Sequence, residues 1–215
     1  MSDHEPDLRD PEAVAGLFHA AAEALLASPW RRGSHERLPA RGRLLATGDL
    51  HDNPLHLQRV VAAARLEASP EHHLTLHELI HGDRLINGMD FSHRILARVA
   101  SLVLRHPGQV HPLLANHELS QLTGAGVSKG AGNSVELFRD ALGFAFGDAA
   151  DDVERAIEAF IAAMPLALIA GEGGPRPLLC AHSLPSTSAM DRFDPAILER
   201  PLEAADRVRP DGGAY

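Results

Sequence analysis

The sequence is poor in cysteine and in long apolar runs. Cys180 is the only cysteine among 215 residues, so no intramolecular disulfide can form and secretion is not required for stability. The longest apolar stretch, residues 160–170, is interrupted by Pro165 and is too short to span a bilayer. The first ten residues are acidic and polar, unlike a signal peptide. These absences predict a soluble cytoplasmic protein that does not associate with membranes.

The chain also lacks an excess of positive charge. It has 20 basic and 29 acidic side chains, so its formal net charge is −9. This acidity argues against a general nucleic-acid binder and against a protein that binds anionic membranes, because both surfaces repel a negative protein. It does not exclude a small anionic substrate that is held by metal ions.

Length and composition predict one globular domain. The chain has 45% hydrophobic and 23% charged residues, which is ordinary globular composition, and it is long enough to bury a sizeable core. We interpret residues 1–215 as a single domain, in which residues 1–40 form an N-terminal helix and an irregular lead-in.

Helical and strand-like patterns alternate along the chain, which predicts an α/β sheet protein. Apolar residues at helical spacing, often after an Asp-Pro or Asn-Pro start, predict helices, and short apolar runs predict strands. The basic stretch 31–43 is expected to be irregular. Helices are expected over residues 11–28, 54–66, 134–147 and 151–163 and after a cap at Asp90, and strands over residues 44–47, 73–76, 110–114, 166–170 and 177–181.

Polar side chains follow four of the predicted strands. Because ligands of α/β sheets bind beyond the carboxyl ends of the strands, we expect these side chains to share one rim. Each residue alone fits a capping or hydrogen-bonding role, but four such strand ends together predict a metal site. Nitrogen and oxygen ligands without thiolate suit manganese, iron or zinc. The polar segments are Asp49 and His51, His77 and Glu78, Asn116 to Glu118, and His182.

The same segments carry a family resemblance. GDLHDN (residues 48–53), HELIHGD (77–83), LLANHE (113–118) and AHS (181–183) resemble, in order and spacing, the motifs of calcineurin-like metallophosphoesterases. The branch with phosphoprotein phosphatases and bacterial dinucleoside-tetraphosphate hydrolases is the most similar. The resemblance covers about residues 43–183. It implies a two-sheet sandwich core flanked by helices.

The resemblance also implies a reaction and a set of site residues. A water activated by two divalent ions would hydrolyse a phosphate ester or anhydride in a phosphorylated small molecule, a nucleotide or a phosphoprotein. Asp49 and His51 would bind one ion, and Asn116 and His182 the other. His117 would be the acid that protonates the leaving oxygen.

Three positions depart from the family pattern. Glu78 stands where the family has the Asp that bridges both ions, and its longer carboxylate can still bridge. His81 and Gly82 stand where the family has the Asp that orients the catalytic histidine and the phosphate-binding Arg; Asp83 and Arg84 follow directly, and we expect Arg84 to bind phosphate.

A fourth departure is the absence of the family's closing histidine motif, since no histidine follows His182. We therefore expect either a fragment that lacks its last strands or a degenerate relative. A non-catalytic metal-binding or regulatory role stays open as an alternative for the same reason.

A further alternative comes from residues 77–81, which spell HELIH, the HExxH signature of zinc metalloproteases. That function needs a helix, so that both histidines share one face with Glu78 as the general base. The strand-like residues 74–76 before the pattern and Gly82 after it argue against a helix.

The remaining motifs are interpreted as structural. The glycine-rich stretch 124–132 does not have the spacing of a phosphate-binding loop and is expected to be a mobile loop near the rim. His73, His93 and His111 are expected to be surface or structural residues, and Cys180 a packed strand residue.

Overall fold

The computed structural model describes residues 7–126, 128–129 and 132–207, with the backbone alone described at 128–129. Parts of the predicted glycine-rich loop, residues 127, 130 and 131, lie outside this range. Among the described residues, no helix is both long enough and apolar enough to cross a bilayer.

Two β-sheets form the centre of the fold. Three parallel strands make one sheet in the order β3-β4-β5, and four strands make the other in the order β1-β2-β8-β9, where β2 and β8 are parallel and the outer pairs antiparallel. A small antiparallel pair, β6-β7, stands apart. The strands are β1 (Arg31–Arg32), β2 (His35–Pro39), β3 (Arg43–Asp49), β4 (His72–His77), β5 (Val110–Pro112), β6 (Ser128–Lys129), β7 (Gly132–Asn133), β8 (Ala167–Glu172) and β9 (Leu178–Ala181).

Helices flank the sheets, so the predicted α/β class with two sheets and outer helices is confirmed. Proline and capping residues start several of them: Asp10 accepts the amide of Glu12 before α1, and Asn53 accepts that of His56 in α2. The α-helices are α1 (Pro11–Leu26), α2 (Pro54–Ala64), α3 (His93–Arg105), α4 (Asn116–Thr123), α5 (Ser134–Phe146), α6 (Ala150–Ala163) and α7 (Thr187–Met190), and 3₁₀ turns occupy Leu66–Ala68, Gly147–Ala149, Pro195–Leu198 and Ala204–Arg207.

The main apolar core lies between the three-stranded sheet and the helices α1, α3 and α6. Leu74 and Leu76 of β4 are fully buried on this side. Phe18 of α1 and Phe160 of α6 are also fully buried, with ring centres 5.6 Å apart. Burial of this apolar surface provides most of the driving force for packing the helices on the sheet.

Two sequence predictions about local structure are wrong. The basic stretch 31–43 is not irregular, because it contains β1, β2 and the start of β3. Its polar residues are tolerated in a buried strand since they find partners: His35 Nδ1 lies 2.7 Å from the carbonyl oxygen of Leu198. Asp90 does not cap α3, whose N-cap position is Ser92; Asp90 instead accepts the amide of Ser92 and contacts a histidine described below.

A buried polar network joins the two sheets. Oε2 of Glu36, on β2, lies 2.5 Å from Nδ1 of His111, on β5, and Nε2 of His111 lies 3.0 Å from Nδ1 of His73, on β4. All three residues are almost fully buried. Burial alone would raise the pKa of Glu36, but the hydrogen bond from His111 and its charge bring that pKa below the ordinary value. Burial lowers the pKa of His73 to about 4. His73 and His111, which the sequence predicts to be surface or structural residues, thus help to join the two sheets.

We expect Glu36→Gln to lower the free energy of unfolding by about 2–3 kcal/mol at neutral pH, because it removes the charged partner of a buried histidine. The pKa of Glu36 is lower in the folded state than its ordinary 4.5, so its contribution is complete above 4.5 and is lost as the pH falls below it. Urea unfolding of both proteins, at neutral pH and in acid, measures this difference.

The matched control is Glu172→Gln, which removes an exposed carboxylate 3.2 Å from Arg37 and should change stability by less than about 1 kcal/mol. Equal losses in the two variants, or a Glu36→Gln effect that does not shrink in acid, would contradict this view of the network.

Candidate metal centre

Four chain segments meet at one rim of the fold. β3 ends at Asp49 and β4 at His77, and these two residues are paired in register. After β5, α4 begins at Asn116, and β9 is followed directly by His182. Since β3, β4 and β5 are parallel, their carboxyl ends lie at the same edge of the sheet, where the polar residues of the three segments gather.

The carboxylate of Glu78 lies at the centre of this rim. Its Oε2 is 2.9 Å from Nε2 of His182, and its Oε1 is 3.4 Å from Nδ1 of His117 and accepts the backbone amide of His117 at 3.0 Å. Burial alone would raise the pKa of Glu78, but the hydrogen bond from His182 and the charge of His117 lower it overall. The same hydrogen bond raises the pKa of His182. Glu78 is therefore a buried carboxylate surrounded by histidines.

Glu78 is itself a predicted metal ligand, and the other four predicted ligands lie around its carboxylate. Asp49 Oδ2 is 3.8 Å from Nε2 of His51, and Asp49 Oδ1 is 3.8 Å from Nδ1 of His182. Asn116 Oδ1 is 2.6 Å from Nε2 of His182. Ligand atoms of His51, Glu78 and His117 lie within 4.8 Å of one another, a grouping that suits a metal ion. The structure thus places His117, the predicted acid, among the predicted ligands.

The chemistry of the donors fits divalent transition ions. Imidazole nitrogens and carboxylate or amide oxygens, without thiolate, suit manganese, iron or zinc. That the five residues bind metal ions and that His117 acts as the acid stay predictions.

The loops that carry these residues have unusual backbone conformations. His51, Glu78 and His81 have φ values of 45°, 45° and 59°, in the left-handed region that non-glycine residues rarely adopt. The amide of His51 donates to the carbonyl of Glu78 at 2.8 Å, and the amide of Asp52 donates to that of Leu79 at 2.8 Å. These hydrogen bonds hold the loops after β3 and β4 against each other.

Glu118 fixes the loop after β4 from the other side. Its carboxylate is fully buried, and Oε1 accepts the amides of Leu79 and Ile80 at 2.7 and 3.2 Å. Burial and the neighbouring charge of Glu78 raise the pKa of Glu118 to about 7. The sequence showed Glu118 only as part of a motif, and no local signal indicated which amides it would hold.

The HELIH segment is not a helix, so the zinc-protease interpretation is wrong. β4 ends at His77, and the next four residues form a loop. His81 does not share a helix face with His77: its Nδ1 lies 2.7 Å from Oδ2 of Asp90, and both side chains are buried. The ring centre of His81 lies 5.4 Å from that of His117. Sequence analysis missed this His81–Asp90 pair.

Arg84 lies on the surface beside this rim. Its side chain is 68% exposed, and one guanidinium nitrogen lies 3.9 Å from Oδ2 of Asp52. Asp83, the preceding residue, is also exposed. The phosphate-binding role of Arg84 stays a prediction.

Comparison with known proteins finds similarity to solved structures. No protein-family model and no curated protein match this chain. Among solved structures, it is similar to a protein serine/threonine phosphatase from Saccharomyces cerevisiae that has similarity to human phosphatase PP5. The TM-score is 0.48 and the sequence identity 15%. The similarity covers 75% of this chain and 45% of that chain.

Gly82 offers a direct test of how closely the two loops pack. A Cβ atom at this position would lie 2.4 Å from the carbonyl oxygen of His51 and 3.0 Å from Cβ of Asp52. We expect Gly82→Ala to push these loops apart, to lower stability by about 1–3 kcal/mol and to weaken divalent-ion binding. Urea unfolding and titration with Mn²⁺ measure the two effects.

Gly143→Ala serves as the control, because a Cβ atom there meets nothing within 4 Å on helix α5. It should leave ion binding unchanged and stabilise the helix by up to about 1 kcal/mol. A Gly82→Ala protein that unfolds and binds Mn²⁺ like the wild type would rule out close packing at this point.

Proposed function

We propose that this chain hydrolyses phosphate esters or anhydrides with the help of two divalent metal ions. The observation that carries the proposal is the cluster around Glu78, in which His182 and His117 contact one buried carboxylate and a ligand atom of His51 lies within 4.8 Å of those of Glu78 and His117. These residues come from the segments that resemble the metallophosphoesterase motifs. Position in the sequence and position in space thus support the same function.

The proposed division of ligands is the one that the metallophosphoesterase resemblance implies. Asp49 and His51, two residues apart at the end of β3, would hold one ion, and Asn116 and His182 the other. Glu78, which lies between the two groups, would bridge them. When bound, such ions lower the pKa of a coordinated water and neutralise charge on the phosphoryl oxygens.

His117 is proposed as the acid for the leaving group. Its backbone amide is held by Glu78, and its ring lies between those of His51 and His81, with ring centres 5.2 and 5.4 Å away. His81 is itself fixed by Asp90. Because His51 and His81 pack near it, the ring of His117 keeps one orientation, as a proton donor in catalysis must.

The substrate is proposed to be a phosphorylated small molecule, a nucleotide or a phosphoprotein. Arg84 would bind a phosphoryl oxygen from the edge of the rim, since its exposed guanidinium is free to leave the weak 3.9 Å contact with Asp52. Manganese is the ion that we would supply first, because oxygen and imidazole ligands both suit it.

We expect Asp49→Asn and His182→Ala to reduce the Mn²⁺ content of the purified protein, because each removes a ligand of a different ion. Elemental analysis after loading and dialysis measures the content, with His19→Ala on the exposed face of α1 as the control. Unchanged metal content in both variants would rule out the proposed site. Metal binding by the wild type without any phosphatase activity would identify a non-catalytic relative instead.

We expect His117→Asn to slow hydrolysis of phenyl phosphate by ~10²–10⁴-fold, the usual size of general acid catalysis. The effect on para-nitrophenyl phosphate should be much smaller, because its leaving group scarcely needs a proton. Steady-state kinetics on the two substrates, at equal metal content, measure the contrast. Equal losses on both substrates would remove His117 from the acid role, and a loss of bound metal would identify it as a ligand.

A further inference from the structure

His77 is the last residue of β4 and lies next to the centre of the rim. Its side chain is only 6% exposed. Because side chains alternate along a strand, His77 lies on the face of β4 that also carries His73, while Leu74 and Leu76 face the helical core. His73 faces the four-stranded sheet through His111 and Glu36. His77 therefore lies between the sheets, at the end where the rim residues gather.

The ring of His77 has no hydrogen-bond partner among residues 7–126 and 132–207. Three other buried histidines have such partners: His35 contacts Leu198, His81 contacts Asp90, and His111 contacts Glu36. Nδ1 of the buried His93, which lies away from the rim on α3, has no partner among the described residues. Neither ring nitrogen of His77 is engaged by a side chain or a backbone group of the described residues, so the ring is free to take an external ligand.

Two neighbouring residues, Asp49 and His182, indicate that this ligand is a metal ion. His77 is paired in register with Asp49, so the two side chains leave adjacent parallel strands at the same level. The ring of His77 also lies 6.1 Å, centre to centre, from that of His182. In the proposed division, the ion that His182 binds has only three donors, Asn116, His182 and the bridging Glu78, one short of the four that a tetrahedral ion takes. An imidazole nitrogen at this position would complete the set.

We propose that His77 is a further ligand of the divalent ion that His182 binds. This inference rests on the proposed function, since it concerns the same metal centre. The ion that His182 binds would then have a ligand from β4 that is not among the metallophosphoesterase motifs.

The test compares metal binding with the stability of the metal-free protein. The full chain and its His77→Gln variant are titrated with Mn²⁺ by calorimetry, and thermal unfolding is recorded with and without the ion. We expect His77→Gln to weaken Mn²⁺ binding at least about tenfold, since mutation of a residue that only supports a metal ligand already lowers metal affinity by this factor. The thermal stability of the metal-free variant should equal or exceed that of the wild type, because no internal hydrogen bond is lost.

Three further variants separate the possible outcomes. His77→Phe, which fills the same space without a donor, must show the same loss of Mn²⁺ affinity, and His19→Gln must show none. If His182→Gln weakens binding but both His77 variants bind like the wild type, the inference is overturned and the proposed function survives. If the wild type does not bind Mn²⁺, both fail. A less stable metal-free variant with unchanged affinity would instead make His77 a packing residue.

Discussion

The arrangement of the candidate centre depends on the buried carboxylate of Glu118. By accepting the amides of Leu79 and Ile80, it holds the loop after β4 in a conformation with Glu78 in the left-handed region. The neighbouring amide of His117 then binds the carboxylate of Glu78. One turn of α4 therefore fixes both the backbone and the side chain at the centre of the rim, and the histidines around Glu78 take their positions from it.

Most of the fold could be predicted because its elements carry local signals. Asp10 and Asn53 cap helices where the sequence indicated them, and apolar runs form strands, of which β4 and β5 are buried while β3 and β9 are exposed or half-buried. β2 could not be predicted in this way, because two of its three buried residues, His35 and Glu36, are polar. His35 and Glu36 are accepted inside only since Leu198 and His111 meet them from distant parts of the chain. No short window of sequence contains those partners.

The same distinction explains what could be predicted of the site. The rule that ligands gather at the carboxyl ends of parallel strands accounts for Asp49 and Glu78, which follow the parallel strands β3 and β4. His182 follows the antiparallel strand β9 of the other sheet and still meets them at this rim. It could not predict contacts between loops, such as that of His81 with Asp90, because loop conformation decides them. A five-letter pattern such as HELIH misled for the same reason: its spacing has meaning only on a helix.

The paired strands of the two sheets are separated by very different lengths of chain. β3, β4 and β5 follow one another, with α2 and α3 as connections, whereas β2 must find β8, pairing His35 with Ala167. Because closing a long loop costs more entropy than closing a short one, we expect the three-stranded sheet to form first during folding. His182, which follows β9, then reaches the rim last. Capture of a metal ion by a refolding chain would therefore mark the final step of folding.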